Sequence, residues 1–137
     1  MAGNTTGLVP FEIISSLPFI SAVEVAVNNR SITLNRVLVD TGSGGTIFSA
    51  DLLLDIGVKP AIGDDLVTIT GVGGTEYAFS RAVDTIKVGH LSVSKFRIQV
   101  GALDYAFDFG FELEGILGMN FLLATKAKLD CKNLTLG

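Results

Sequence analysis

The most informative stretch of this sequence is residues 37–44, which read Val37-Leu38-Val39-Asp40-Thr41-Gly42-Ser43-Gly44. An apolar run typical of a β-strand ends in a carboxylate, and a tight glycine-rich turn follows at once. We predict that the strand is a stiff support and that the turn lifts the Asp40 carboxylate clear of the sheet. Thr41 and Ser43 add hydroxyl donors beside it. The pattern is typical of a carboxylate held for acid/base chemistry, but it also fits an inert, solvated turn, so the remaining sequence has to decide.

Two further segments lie downstream of Asp40 in an informative order. In residues 66–79, two alternating segments flank the glycine-rich tip Gly71-Val72-Gly73-Gly74, and this pattern predicts a mobile β-hairpin. The second segment is Ile116-Leu117-Gly118, two apolar residues and a glycine just before a short helix-like run, residues 119–124. Together with Asp40-Thr41-Gly42, these pieces are far more specific than any one of them alone.

In this order the three pieces resemble those of the retropepsin-like, retroviral-type aspartic proteases, and the chain is identified as a bacterial or other cellular member of that family. The resemblance covers residues 19–137. It implies a mostly β fold, namely a closed antiparallel β-barrel with one or two short helices. It also implies an aspartic endopeptidase that hydrolyses a peptide or protein substrate and needs no metal or other cofactor.

The resemblance further implies a role for each site residue. Asp40 is the expected catalytic residue, Thr41 is expected to hydrogen-bond across a two-fold axis, and Gly42 is expected to donate its N–H to the carboxylates. Ser43 is expected to contact the outer carboxylate oxygen. The hairpin of residues 66–80 corresponds to a flap that closes over the substrate, and its expected substrate-binding residues are Gly71, Val72, Gly73 and Gly74. The expected buttress below Asp40 consists of Ile116, Leu117 and Gly118. The expected apolar walls of the substrate pockets are Val39, Val72 and Leu117.

This chain contains a single Asp-Thr-Gly, whereas pepsin-like enzymes carry two in a chain more than twice as long. A homodimer is therefore expected, in which a second copy supplies the second carboxylate and the two Asp40 side chains face each other across a two-fold axis. Two carboxylates in close contact cannot both ionise cheaply, so the dyad shares one proton and activates a water. Activity is then expected to favour mildly acidic conditions and to fall on dilution.

Length and composition limit the other possibilities. A chain of 137 residues is expected to be one domain, residues 1–137, with residues 1–8 as a flexible polar arm. The net charge of −4 argues against nucleic acid as a partner, because phosphate binding needs a basic surface. The single cysteine, Cys131, excludes an intrachain disulfide, and the apolar stretch 8–20 is too short and too interrupted to span a membrane. A soluble domain is expected, compatible with the cytoplasm or with excision from a membrane-anchored parent, and its location stays open.

Periodicity and turn residues predict about seven to nine short strands. The predicted strands and hairpins are residues 9–14, 19–27, 31–39, 66–70 with 75–79, 82–88 with 91–100, and 126–130 with 134–136. Ser49 is predicted to cap a short helix, residues 50–56, that ends at Gly57. The aromatic and acidic segment 101–115 is expected to line substrate pockets or to add to the dimer contact.

Two other functions compete with proteolysis. Residues 40–46 also resemble the phosphate loop of actin-like ATPases and sugar kinases, but those proteins need two large domains, and this chain is too short by more than half. The second competitor is a catalytically silent retropepsin-like module that binds peptides or assembles subunits. The sequence favours proteolysis because Asp40-Thr41-Gly42 and a glycine-rich hairpin occur in one chain. An Asp40→Asn variant separates the two, since a binder tolerates the change and a protease does not.

Overall fold

The computed structural model describes residues 7–71, 74–103 and 110–137. Within these ranges the chain forms thirteen β-strands and two α-helices, the first of which continues into a short 3₁₀ turn, Leu54–Ile56. The strands are β1 (Val9–Pro10), β2 (Glu12–Ile14), β3 (Leu17–Ile20), β4 (Val23–Val27), β5 (Arg30–Leu34), β6 (Val37–Asp40), β7 (Ile47–Ser49), β8 (Leu66–Gly71), β9 (Gly74–Val88), β10 (Leu91–Gly101), β11 (Gly115–Gly118), β12 (Leu129–Asp130) and β13 (Thr135–Leu136). The helices are α1 (Ala50–Leu53) and α2 (Met119–Thr125). The protein is therefore mostly β, as the sequence predicts.

One large mixed sheet contains ten of the strands, in the order β2-β3-β6-β11-β7-β10-β9-β4-β5, with β8 paired to β9 beside this path. Most neighbours are antiparallel, but β6 pairs with β11 and β7 pairs with β10 in parallel. Within the described ranges, the end strands β2 and β5 pair only with β3 and β4, respectively. The sheet is therefore open, and the prediction of a closed antiparallel barrel is wrong.

The sheet stays open because closure would require hydrogen bonds between its first and last strands. Instead, β11 returns to the middle of the sheet and inserts between β6 and β7, pairing with both. The alternation of apolar and polar residues predicts that a segment is extended, but it does not identify the partner strand. The same insertion places Gly118 opposite Asp40 in the register of β6 and β11.

Three predicted strands are divided in the structure. Residues 9–14 form β1 and β2, which belong to different sheets. Residues 19–27 contribute to β3 and β4, with a break at Ser21 and Ala22, where Ala22 has a positive φ of 60°. Residues 31–39 likewise divide into β5 and β6, with Asn35 in the break. The break between β3 and β4 contacts the break between β5 and β6. Ser21 Oγ donates to the Asn35 carbonyl at 3.0 Å, and Ala22 N donates to Asn35 Oδ1 at 3.2 Å. Side chains at the breaks thus satisfy backbone groups that leave the sheet.

The other predicted elements are confirmed with small shifts. The three predicted hairpins are present, in residues 66–79, 82–100 and 126–136. Residues 74–88 form one continuous strand, β9, where two separate strands were predicted. Ser49 caps α1 by accepting a hydrogen bond from Leu52 N at 3.4 Å, and Gly57 ends the following 3₁₀ turn with a φ of 81°. A positive φ there suits glycine, because it lacks a Cβ.

The hydrophobic core has two parts, and β6 lies between them. Val37 and Val39 belong to the larger cluster, together with Leu117 of β11. Leu38 belongs to the smaller cluster, together with Ile116. The three apolar residues of β6 are only 0–3% exposed, so this strand is buried on both faces. Close packing on both sides makes β6 a rigid support for the residue at its end, Asp40.

A separate three-stranded sheet joins the two ends of the described chain, in the order β1-β13-β12. β13 lies in the middle, with Leu136 opposite Val9 on one side and Leu129 on the other. Asp130 holds the turn between β12 and β13, because its carboxylate accepts the side-chain N–H of Asn133 at 2.8 Å and the backbone N–H of Asn133 at 3.1 Å. These hydrogen bonds, the side-chain one first, lower the pKa of Asp130.

Candidate functional site

The site is centred on Asp40, the last residue of β6. Its backbone is fixed by the parallel pairing of β6 with β11, in which Asp40 lies opposite Gly118. β6 also pairs with β3 on its other side, through Val37 and Leu38. Asp40 itself is half-buried, so its carboxylate lies where the buried strand meets the surface. The backbone here can move little, whereas the carboxylate is open to a reactant.

The Asp40 carboxylate is held by its own turn. Ser43 N donates to the Asp40 carbonyl at 3.1 Å, and Gly42 N donates to Asp40 Oδ1 at 2.9 Å. A side-chain oxygen that accepts an N–H two residues later forms an Asx-turn, an arrangement typical of Asp and Asn in tight turns. A Cβ added at Gly42 would lie 3.2 Å from Asp40 Oδ1, closer than most Cβ contacts. The geometry therefore gives Gly42 a defined contact with the carboxylate.

Ser43 and Thr41 occupy different positions relative to the carboxylate. Ser43 Oγ donates to the Gly45 carbonyl at 2.8 Å. A hydroxyl has one hydrogen to donate, so in this chain Ser43 stabilises the loop itself and does not donate to the carboxylate oxygen. Thr41 is exposed and forms part of the wall of a surface cleft beside α2.

The start of α2 lies directly against the Asp40 loop. Met119 N donates to the Ser43 carbonyl at 2.7 Å, and Asn120 N donates to the Gly44 carbonyl at 3.2 Å. The first N–H groups of a helix have no acceptor within the helix itself, so they are available for such contacts. The loop and α2 thus satisfy each other's backbone groups, and the loop is fixed at two consecutive carbonyls.

A buried side-chain network completes the attachment of the loop. Thr46 is 1% exposed, and its Oγ1 donates to Asn120 Oδ1 at 2.8 Å while it accepts the N–H of Gly118 at 3.1 Å. Asn120 Oδ1 also accepts the N–H of Phe121 at 2.9 Å. Sequence reasoning missed Thr46 and Asn120. The available signal was their position, since each is a polar residue directly before buried apolar ones.

Gly118 allows the loop and β11 to approach closely. A Cβ at this position would overlap the Gly45 carbonyl oxygen and would lie 2.9 Å from the Ser43 carbonyl oxygen. The other two residues of the expected buttress are Ile116 and Leu117, which are 7% and 0% exposed. All three expected buttress residues thus lie next to the Asp40 loop or the strand that carries it.

Two of the expected pocket walls lie elsewhere. Val39 and Leu117 are 3% and 0% exposed and belong to the larger core cluster, so neither of them lines a surface pocket. The expectation fails because β6 and β11 contribute side chains to both core clusters, and burial on both faces is what continuous apolar runs of this kind indicate. The third expected wall residue, Val72, lies outside the described residues.

The expected flap corresponds to the hairpin of β8 and β9. The two strands pair antiparallel from Leu66 opposite Phe79 to Gly71 opposite Gly74. Val72 and Gly73, at the tip, lie outside the described residues. The described part therefore brings Gly71 and Gly74 together as the last backbone pair before the tip.

The base of this hairpin is attached to the loop before it. Ser80 N donates to the Asp65 carbonyl at 2.9 Å. Arg81 Nε donates to Asp64 Oδ1 at 3.1 Å, and another Arg81 guanidinium nitrogen donates to the Lys59 carbonyl at 2.8 Å. The hydrogen bond from Arg81 is the main reason that the pKa of Asp64 is lowered. These contacts fix the position of the hairpin's base relative to the loop.

Only the two ends of the aromatic segment, residues 101–103 and 110–115, are described. Phe111 packs edge-on against Phe19 of β3, with 5.4 Å between ring centroids, and the Arg36 guanidinium lies 4.6 Å from the Phe111 ring centre. This end of the segment therefore packs on the smaller core cluster. Residues 104–109, including Phe107 and Phe109, lie outside the described residues, so the expected pocket or dimer role of the segment stays a prediction.

The described ranges contain neither a cluster of metal-ligating side chains nor a helix that could span a membrane. No three His, Cys, Asp or Glu side chains there are grouped so that they could hold a metal ion. None of the helices in those ranges is both long and apolar enough to cross a bilayer.

The chain is similar to known proteins at the levels of family and fold. The family model described as Aspartyl protease matches residues 23–121, a range that includes the Asp40 loop and β11. Among solved structures, the crystal structure of a retropepsin-like aspartic protease from Rickettsia conorii has a TM-score of 0.63 and 20% sequence identity, with 94% of this chain and 86% of that chain covered. At this identity the likeness concerns the fold alone. No curated protein sequence matches the chain.

Proposed function

This chain belongs to the aspartyl protease family, and from that premise we propose that it is an aspartic endopeptidase that works as a homodimer. The observation that supports this most is the placement of Asp40. It ends a strand that is buried on both faces, its carboxylate accepts the Gly42 N–H, and its loop is fixed by α2. A carboxylate this well positioned at the surface suits acid/base chemistry on a bound substrate.

In the proposed reaction, two Asp40 side chains meet across a two-fold axis and share one proton. The ionised carboxylate removes a proton from a water molecule, whose oxygen attacks the peptide carbonyl carbon. The protonated carboxylate donates a hydrogen bond to the carbonyl oxygen, and a proton then passes to the leaving amine as the C–N bond breaks. The chemistry is completed by residues of the two chains, and one copy carries only half of the dyad.

Each residue near Asp40 supports a distinct part of this proposal. Gly42 supplies an N–H to the carboxylate, and we assign Thr41 to a hydrogen bond with the partner subunit because it is exposed beside the dyad. Ser43 is assigned to the conformation of the loop, since its hydroxyl donates to Gly45. Thr46 and Asn120 act as positioning residues that link the loop to α2.

We assign the hairpin of β8 and β9 to closure over an extended peptide. Its fixed base and glycine-containing end suit a flap whose backbone hydrogen-bonds to the substrate as an added strand. A Gly73→Val variant is expected to lower kcat, because a β-branched residue stiffens the tip. Kinetics equal to those of the wild type would remove the flap assignment, and the Asp40 assignment would stand.

The proposal is tested by comparing the wild type with Asp40→Asn on a diverse peptide mixture, read by mass spectrometry from about pH 4 to 7. Cleavage by the wild type alone is expected, and the cut sites give the specificity. Asp40→Asn keeps the size of the side chain, so the variant is expected to fold and dimerise as the wild type does. Circular dichroism and sedimentation check these two properties. Equal cleavage by both proteins contradicts the proposal. Silence from both, with a dimer present, favours the alternative of a catalytically silent peptide-binding or assembly module.

A further inference from the structure

A surface cleft of about 320 Å³ lies beside the Asp40 loop, between α2 and β12. Its wall includes Thr41 from the loop and the side chains of Met119, Leu123 and Lys126 from α2 and its end, and Leu129 of β12. Thr41 directly follows Asp40 in the chain. The cleft therefore begins at the candidate site and extends away from it along α2.

The cleft exposes apolar side chains that the fold of one chain does not bury. Leu123 is 66% exposed and Met119 is 36% exposed, and the two are separated by one helical turn on the same face of α2. The opposite face of α2 is packed inside the chain, since Phe121 is 0% exposed, and Leu122, which is 6% exposed, lines the cleft at its buried side. A helix with one buried face and a second apolar face at a concave surface is typical of a contact with another protein.

The position of this surface identifies the partner. Met119 N, at the start of α2, donates to the Ser43 carbonyl. The part of the cleft that Met119 lines is therefore fixed to the Asp40 loop itself. The proposed chemistry needs two Asp40 carboxylates in contact, and the surface that surrounds Asp40 must then face the second copy. A patch that is continuous with this loop and apolar at its centre, with Thr41 and Lys126 at its edge, fits that copy.

We propose that this cleft is part of the contact between two copies of the chain, with Met119 and Leu123 as its apolar centre; this rests on the proposed function. The terminal sheet supports the inference from another direction. Its middle strand, β13, is already paired on both edges by β1 and β12 of the same chain. In this arrangement β13 has no free edge, so a partner strand can pair only with the outer edges of β1 and β12, and side-chain contacts such as those in the cleft add to that limited pairing.

The test compares Leu123→Glu with Leu54→Glu, a matched control. Leu54 is also an exposed leucine in a short helical segment, 55% exposed, and it does not line the cleft. Dimer dissociation constants are measured by sedimentation equilibrium. Leu123→Glu is expected to weaken the dimer about tenfold or more, because it places a carboxylate in an apolar contact, whereas Leu54→Glu is expected to stay near the wild type. Leu123→Ser, which removes apolar area without adding charge, is expected to weaken it less.

The outcomes separate this inference from the proposed function. Equal dissociation constants for the wild type and both Leu123 variants overturn the cleft as a contact, even if cleavage still depends on Asp40. Equal weakening by Leu54→Glu and Leu123→Glu overturns it too, because the effect would then not be specific to the cleft. A wild type that is monomeric while it cleaves overturns the homodimer and the cleft contact together. Thermal unfolding of each variant shows that a weaker dimer does not reflect a misfolded chain.

Discussion

Thr46 and Asn120 are joined side chain to side chain, with 2.8 Å between Thr46 Oγ1 and Asn120 Oδ1, although they are 74 residues apart in sequence. The same Thr46 oxygen accepts the N–H of Gly118. One buried hydroxyl thus connects the end of the Asp40 loop to both β11 and α2. Because buried polar groups are costly without partners, this network specifies one position of the loop and disfavours others.

Thr46→Val removes the hydroxyl and keeps the shape of the side chain. It removes the hydroxyl partner of the buried Gly118 N and of the half-buried Asn120 Oδ1, so we expect a loss of about 1–3 kcal/mol in the free energy of unfolding. Thr125→Val is the matched control. Thr125 is half-buried on α2, and its hydroxyl donates to Phe121 O, a helical carbonyl.

Urea denaturation measures both Thr variants, and peptide cleavage measures the effect on the site. The control is expected to lose less than about 1 kcal/mol and to keep its kcat. Thr46→Val is expected to lower kcat, because the loop that carries Asp40 is less firmly positioned. Equal losses in the two variants would show that the Thr46 network has no special role in holding the loop.

Gly118→Ala tests the close approach of β11 to the Asp40 loop. The new Cβ would overlap the Gly45 carbonyl oxygen, a backbone atom that cannot rotate away, so the loop has to shift. We expect a destabilisation of about 1–3 kcal/mol or more, together with a large loss of cleavage. Gly44→Ala is the control in the same loop, because a Cβ there meets nothing within 4 Å. Similar losses of stability in both variants would contradict this account of Gly118.

Much of the candidate site follows from the sequence because its elements are local. A β-type run before Asp40, a glycine-rich turn and an Ile-Leu-Gly segment before a helix each depend on neighbouring residues, and the structure has all three. The contact of Gly42 N with the carboxylate is local as well, since it spans two residues. Turn chemistry of this kind is readable from a short motif.

The parts that sequence reasoning missed are non-local. Which residues Thr46 contacts depends on where β11 inserts in the sheet. The periodicity of the sequence around Thr46 and around β11 does not specify that position. The open sheet has the same origin, because strand order depends on contacts between distant segments. Val39 and Leu117 were expected in pocket walls because of the resemblance to the family, yet packing on both faces of β6 and β11 buries them.

Asp64 is expected to make stability depend on pH through its ion pair with Arg81. The pKa of Asp64 is lowered below its ordinary value of 3.8 by the hydrogen bond from Arg81. A lowered folded-state pKa means that the contribution is fully present above the unfolded-state pKa and is lost as pH falls through the folded-state pKa. Asp64→Asn should therefore be less stable than the wild type near neutral pH, and the difference should shrink below about pH 4.

Melting temperatures of the wild type and Asp64→Asn, measured from neutral pH down to about pH 2, check this prediction. Asp65→Asn is the control, since Asp65 is the neighbouring exposed carboxylate in the same loop. It is expected to show a smaller difference across the range. A difference between the wild type and Asp64→Asn that grows as pH falls would have the wrong sign and would contradict the role of the Arg81 pair.

Mixing subunits tests whether each active site needs two copies of Asp40. When wild type and Asp40→Asn are combined in equal amounts and allowed to exchange, random pairing leaves about a quarter of the dimers with two Asp40 residues. Activity per total protein should then fall to about a quarter of the wild-type value, and it should follow the square of the wild-type fraction at other ratios.

A linear dependence of activity on the wild-type fraction, with about half of the activity at equal amounts, would mean that each chain works alone. The control replaces the variant with an unrelated inert protein at the same total mass. In that control, activity is expected to be proportional to the wild-type fraction as long as the wild-type dimers stay intact. The square law separates a shared dyad from a dimer whose subunits merely associate, since only a shared dyad is inactivated by one defective partner.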